Sequence, residues 1–380
     1  IKDFKFINEI FGMEKGNQVL IKQAKLMASN PSERTICARL MNDRFALCLP
    51  REEFDEKRVA DSVKELQCEF TGNSFHLHMY MGVYEIRDRD EAVSIMVDKA
   101  NIAADTIKNN YDCCVAYYDE HLLEISIEQR RLLGEFEPAL QNDEFVMYLQ
   151  PQVKRDGAAK GAEALVRWVH PSRGILTPYA FIDILENAGL IYKLDLYIWE
   201  KAAQKLAEWK EKGYGSYHIS VNISTKDFYI IDIYETFTGL INKYGIAASN
   251  LHLEITETTL MTDFEKNMNI IHKLQGVGFR VEIDDFGSGY SSLNMLKDIS
   301  ADVLKIDMGF LRKSENEVKG QDILESIITL AGKIGMDVIT EGVETKKQLD
   351  MLTMMGCHEF QGYYFSKPVP VSEFEEKYLV

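Results

Sequence analysis

From Glu144 onward the chain repeats one rhythm, a short apolar strand-like run followed in most cases by a helical stretch. Eight runs can be counted, at 145–149, 162–168, 218–223, 251–255, 280–283, 303–306, 337–340 and 359–363. Helical stretches such as 178–188, 195–212, 266–276 and 317–335 separate most neighbours. Eight such units in roughly 235 residues predict a (β/α)₈ barrel, whose usual size is about 250 residues. In that architecture the polar residues closing each strand gather at one rim and build the site.

What closes the strands is therefore the informative part. The second run carries Glu163 and Arg167, the third ends at Asn222, and the fourth has Glu254 and Glu257. The fifth ends in the adjacent Asp284 and Asp285, the sixth carries Lys305 and Asp307, the seventh ends at Glu341 with Glu344 beyond, and the eighth carries Gln361. A packed barrel interior should be Val, Ile and Leu, so this many charged and amide groups need another reason. Successive strand residues point to opposite faces, so Asp284 and Asp285 reach one small volume only where the strand gives way to the Gly287-Ser288-Gly289 loop. Converging carboxylates repel unless a proton or a divalent cation lies between them. For Asp307 and Glu344 a rim ion pair or a helix-terminal charge is an equal reading.

The first part of the chain alternates differently. Helical runs at 16–29, 55–66 and 91–109 are interleaved with strand-like pieces at 36–38, 45–49 and 75–86, which predicts an α+β domain over 1–122. Residues 123–142 read as a charged amphipathic connector helix, and 143–380 as the barrel. His76 and His78 share a strand face but lack a further ligand at suitable spacing and are assigned no role. Ile1 stands without a preceding Met inside what reads as a strand or its exit, so the sequence is expected to be a fragment, with a sensor or membrane anchor upstream.

A net charge of −17 argues against broad binding to nucleic acid or to an anionic membrane surface, though not against a small anion held through metal ions. The six cysteines show no Cys-x-x-Cys spacing, and no apolar run approaches a membrane span, which together predict a reduced, cytoplasmic chain.

Two resemblances sharpen these expectations. Asp3-Phe4-Lys5-Phe6-Ile7-Asn8 and Arg39-Leu40-Met41-Asn42-Asp43-Arg44-Phe45 resemble the GGDEF family of diguanylate cyclases. Met41 and Asn42 replace both glycines of its signature, Arg44 reverses the charge of its acidic residue, and its Arg-x-x-Asp motif is missing from 32–35. The resemblance implies a cyclase fold without cyclase activity and a regulatory role, with Asn8 leaving room for a bound nucleotide such as GTP.

The second half resembles the EAL family of cyclic di-GMP phosphodiesterases through an ordered set of motifs. These are Glu163-Ala164-Leu165-Val166-Arg167-Trp168, Val221-Asn222-Ile223-Ser224, Leu253-Glu254-Ile255-Thr256-Glu257, the stretch from Asp284 to Leu293, Lys305-Ile306-Asp307, Glu341-Gly342-Val343-Glu344 and Gln361-Gly362-Tyr363. The resemblance implies hydrolysis of cyclic di-GMP to linear pGpG with two Mg²⁺ or Mn²⁺ ions. Glu163, Asn222, Glu254, Asp284 and Asp285 would be the metal ligands, and Lys305, Glu341, Gln361 and Glu163 the catalytic group. Arg167 and Asp307 would contact substrate, Glu257 would brace the loop after Asp285, and a homodimer through the barrel is expected. A receptor that binds cyclic di-GMP without cleaving it is the alternative. A kinase reading of Asp285-Phe286-Gly287 fails for want of a His-Arg-Asp catalytic loop or a Gly-rich phosphate loop.

Overall fold

The computed structural model describes residues 1, 4–29, 33–67, 77–108, 113–286, 299–307, 309 and 317–379. Asp3, His76 and the loop 287–298 of the sequence reading lie outside the described residues. The chain divides into two compact units, Ile1–Arg131 and Leu132–Val380.

In the first unit a helix, α1 (Phe4–Ala28), is broken at Gly12, where φ is 85° and ψ 155°. This helix begins three residues after Ile1, the residue read as inside a strand or its exit. Phe4, Ile7 and Phe11 recur at helical spacing and pack with Val19, Val59, Leu66, Leu77 and Met79 into a small core. Strands β1 (Ile36–Arg39) and β2 (Phe45–Cys48) form an antiparallel hairpin. After α2 (Glu56–Gln67), β3 (Met81–Val83) pairs in parallel with β4 (Val115–Tyr117), and α3 (Val93–Thr106) lies between them in sequence. Among the described residues of the expected 75–86 strand, three are in a ladder. Gly82 explains how closely α3 lies on β3, because a Cβ there would sit 1.7 Å from the Ala100 carbonyl oxygen.

Helix α4 (Glu120–Gln141) covers the expected connector and starts three residues earlier. Its Leu132, Phe136 and Ala139, spaced as one helix face, belong to the core of the second unit. There Phe136 meets Phe145, and Phe145, Trp168 and Phe181 pack with ring centroids 4.7 to 5.9 Å apart.

The second unit is the closed barrel. Its strands are β5 (Phe145–Lys154), β6 (Ala159–His170), with β7 (Gly174–Leu176) as a short edge, β8 (His218–Ile223), β9 (Leu251–Thr256), β10 (Val281–Phe286), β11 (Val303–Asp307), β12 (Asp337–Glu341) and β13 (Glu359–Phe360). Strand β14 (Val369–Pro370) pairs antiparallel with Leu149 and Tyr148 of β5. The ladder runs β5-β6-β8-β9-β10-β11-β12-β13 and closes on β5. One feature departs from the expected all-parallel barrel: β5 runs antiparallel to both β6 and β13. Only residues 155–158 join β5 to β6, whereas a parallel connection needs a crossover of a dozen or more.

Every strand from β8 to β11 alternates, and nearly every residue on both faces is buried. Ile219, Val221, Leu253, Ile255, Val281, Ile283, Leu304 and Ile306 make the apolar set. The intervening residues, Ser220, His252, Glu254, Glu282 and Lys305, are buried and polar. The polar face of each strand thus lines the barrel lumen, and this places the site.

Candidate active site

Lys305 is the centre of the arrangement. It projects from β11 with 1% of its side chain exposed, and its Nζ faces four carboxylates from four other strands. Glu341 Oε1 is 2.6 Å away, Glu254 Oε1 2.9 Å, Glu163 Oε2 3.3 Å and Asp284 Oδ1 3.4 Å. Glu163, on β6, is held by two more donors. Asn222 Nδ2 of β8 donates to its Oε1 at 3.1 Å, and Gln361 Nε2, just past β13, donates to its Oε2 at 2.5 Å.

Gln361 is itself steered by Gln150 of β5, whose Oε1 accepts at 3.2 Å while its Nε2 donates to the Ser366 carbonyl at 3.3 Å. Gln150 was not among the expected site residues. Its signal is a polar residue inside an otherwise apolar strand start, Met147-Tyr148-Leu149-Gln150.

The two adjacent aspartates reach the same rim through a bulge. Against β11, Ile283 pairs with Leu304 and Phe286 with Ile306, so β10 spends one residue more than its partner. Asp285 takes up the excess in a left-handed conformation, φ 57°, which Asp tolerates better than most residues. The re-aiming occurs within the strand, not after it as the sequence suggested. Burial and the charges of Asp284 and Asp307 raise the Asp285 carboxyl.

The charge balance is uneven. At Glu163 burial acts upward, but Lys305, Gln361 and Asn222 outweigh it and hold the carboxyl below its usual range. Burial, Glu163 and the neighbouring acids push Glu254 well above that range despite Lys305. Burial also raises Glu341, to about 8, with Asp284 and Glu163 adding to it. Lys305 would be lowered by burial, but Asp284, Glu163, Glu254 and Glu341 keep it strongly protonated. One ammonium among four carboxylates leaves an excess of negative charge, and Glu254 Oε2 is buried with no hydrogen-bond partner.

The remaining expected residues stand around this centre. Arg167, four residues beyond Glu163 on the same strand face, is half-buried with its guanidinium 5.5 Å from the Tyr148 ring centroid. Asp307 closes β11 beside Glu341 and accepts from the Gly309 amide at 2.5 Å. Glu257 begins the helix Glu257–Thr262, which Thr256 caps; the loop it was expected to brace lies outside the described residues. Glu344 lies just before the Thr345–Gln348 capping box, whose Gln348 side chain accepts from the Glu344 amide.

Residues 134–368 match the sequence model described as "EAL domain". The chain belongs to the EAL family. Residues 1–112 match the model "Diguanylate cyclase, GGDEF domain", so the two domains stand in tandem ahead of and within the barrel unit. The chain is 30% identical over 382 residues to the bifunctional diguanylate cyclase/cyclic di-GMP phosphodiesterase MucR of Pseudomonas aeruginosa, covering 97% of this chain and 55% of that protein. It is 29% identical to the cyclic di-GMP phosphodiesterase NbdA of the same organism, covering 98% of this chain and 48% of that protein. The chain thus spans about half the length of the curated relatives it matches. Among solved structures, the MucR phosphodiesterase in complex with c-di-GMP aligns with a TM-score of 0.61 at 33% identity, covering 64% of this chain and 99% of that one. Among the described residues, no helix of this EAL protein is long and apolar enough to cross a membrane.

Proposed function

We propose that the barrel hydrolyses one phosphodiester bond of cyclic di-GMP to linear pGpG, with divalent cations held at the rim. The observation that carries this reading is the convergence of Glu163, Glu254, Asp284 and Glu341 on Lys305, with Glu254 Oε2 left unpartnered. An excess of buried carboxylate oxygen fits added positive charge, and hard oxygen donors suit Mg²⁺ or Mn²⁺. Glu163, Asn222, Glu254, Asp284 and Asp285 would hold the ions, which would supply Lewis acidity toward water and toward the phosphoryl oxygens.

The chain's own groups divide the rest. Lys305, kept charged by its carboxylate neighbours, suits orienting a water through N–H donation better than removing its proton. Gln361, its amide nitrogen held between Gln150 and Glu163, suits positioning that water. Arg167 offers a planar fork for a phosphate oxygen at the mouth. Arg167→Ala is therefore expected to raise the KM for cyclic di-GMP about tenfold, the worth of one charge-assisted hydrogen bond, with a smaller change in kcat. A loss confined to kcat would remove Arg167 from substrate binding.

For the first domain we propose regulation without cyclase chemistry. Asn42 stands in the hairpin turn at φ 51°, with the Arg39 guanidinium donating to its carbonyl at 2.7 and 3.0 Å, so side chains and an arginine fill a turn that glycines would leave open. One assay tests both parts: purified protein with Mn²⁺ should convert cyclic di-GMP to pGpG and make no cyclic di-GMP from GTP. GTP should alter the hydrolysis rate, and equal rates with and without it would count against regulation through this domain. Binding of cyclic di-GMP with no pGpG formed would establish a receptor instead.

A further inference from the structure

Below the carboxylate cluster the lumen holds a second polar layer that the proposed chemistry does not use. Gln152 of β5, His218 and Ser220 of β8, His252 of β9 and Glu282 of β10 are all more than nine-tenths buried. Glu282 is the hub. Its Oε1 accepts from His252 Nδ1 at 2.6 Å and from Ser220 Oγ at 3.2 Å. Gln152 Oε1 lies 2.7 Å from His218 Nε2 and 3.5 Å from Ser220 Oγ, and the two imidazoles stack at 3.8 Å and 4°.

Two histidines and a carboxylate within 4.8 Å have the composition of a metal site, but their geometry is different. Imidazole lone pairs lie in the ring plane, so stacked parallel rings do not aim them at one ion. Each nitrogen of His252 also faces an acceptor, Glu282 on one side and the Ser249 carbonyl at 3.2 Å on the other. Both nitrogens are thus taken up by groups of the protein itself, and neither is free for an ion.

A buried carboxylate–imidazole contact is a poor source of stability, since apolar or neutral replacements of similar volume are often tolerated. The placement of this one supplies another reason for it. Four of the five members stand two residues from a site residue on the same face of the same strand: Gln152 from Gln150, Ser220 from Asn222, His252 from Glu254 and Glu282 from Asp284. In the ladders Glu282 is the direct partner of Glu254, and Ser220 of Glu163. Like charges directly opposite on neighbouring strands repel. His252 and Ser220 engage Glu282, while Lys305 engages Glu254, so the two carboxylates are committed to different layers.

We propose that Glu282, His252 and Ser220 are positioning residues, a hydrogen-bonded floor that fixes the aim of Glu254, Asp284 and Asn222 toward the cations. The inference rests on the metal-dependent reading of the rim. The test uses the full chain carrying His252→Gln and Glu282→Gln together, which breaks the carboxylate–imidazole contact at nearly constant volume. Calorimetric titration of metal-free protein with Mn²⁺ should show roughly tenfold weaker binding, the usual scale for groups that orient ligands. At saturating Mn²⁺, kcat should fall by a similar factor while KM for cyclic di-GMP stays within about twofold. A merely structural floor would lower Tm and leave the Mn²⁺ titration of the folded fraction unmoved, and that result overturns the proposal. Should the double variant not fold, Ser220→Ala removes a single hydroxyl, with about threefold weaker Mn²⁺ binding expected and wild-type binding overturning the idea. Wild-type protein that binds Mn²⁺ but forms no pGpG would end the hydrolase reading alone, because the Mn²⁺ titration still decides the role of the floor.

Discussion

Glu163→Gln is expected to lower kcat/KM for cyclic di-GMP by about 10³-fold or more, roughly 4 kcal/mol of transition-state stabilisation. The size follows from how many groups this one carboxylate organises. It takes Asn222 on one oxygen and both Gln361 and Lys305 on the other, so the amide would present a donor where two donors now converge. Gln361 would turn away, and Lys305 would shift toward Glu341 and Glu254, its two nearest partners. A ligand, a positioning amide and the ammonium are thus disturbed together, and such effects act as a unit. The fold should survive, because the substitution removes one negative charge from a cluster that has too many. Steady-state kinetics at saturating Mn²⁺, beside a melting curve, checks both statements. A variant within tenfold of wild type would place the reacting atoms elsewhere.

The rim was legible in the sequence because each strand announces its end. Asn222, Glu254, Lys305 and Glu341 each follow or interrupt a run of Val, Ile and Leu, and period-two alternation then assigns their face. β8 begins and ends where the alternation does. The first strand's direction was less visible, although the four residues at 155–158 are too few for a crossover. The bulge at Asp285 could not be read, since its only mark is a pairing register between strands separated by a loop. The lower polar layer was hidden for a different reason. His218, Ser220, His252 and Glu282 alternate with aliphatic residues just as a half-exposed strand would, and only closure of the barrel turns that polar face inward. Gln150 was missed because its importance is relational: it matters through Gln361, which lies 211 positions away.

Metal-free protein should lose stability as pH rises from 6 to 8.5, and Mg²⁺ should reverse the trend. Glu341 carries the argument, with its carboxyl raised from 4.5 to about 8 in the folded state and its side chain 19% exposed. Between those values the folded chain binds more protons than the unfolded one, so stability falls with increasing pH and the contribution is gone above the folded value. Two units of that window lie above pH 6, which corresponds to about 3 kcal/mol. For a domain of this size the expected fall in Tm is about 6 to 12 °C. Glu254, also raised, acts in the same direction. Glu163 is lowered, so its contribution is lost only as pH falls through the acid range and it cannot offset the change between 6 and 8.5. A cation that binds the ionised carboxylates competes with their protons, so the rise in Tm on adding Mg²⁺ should be larger at pH 8.5 than at pH 6. Glu341→Gln should flatten the metal-free profile and melt higher than wild type at pH 8.5. A metal-free Tm that is level or rising over this range, or a Mg²⁺ effect independent of pH, would mean that the four carboxylates are not the crowded cluster from which metal binding at this rim is argued.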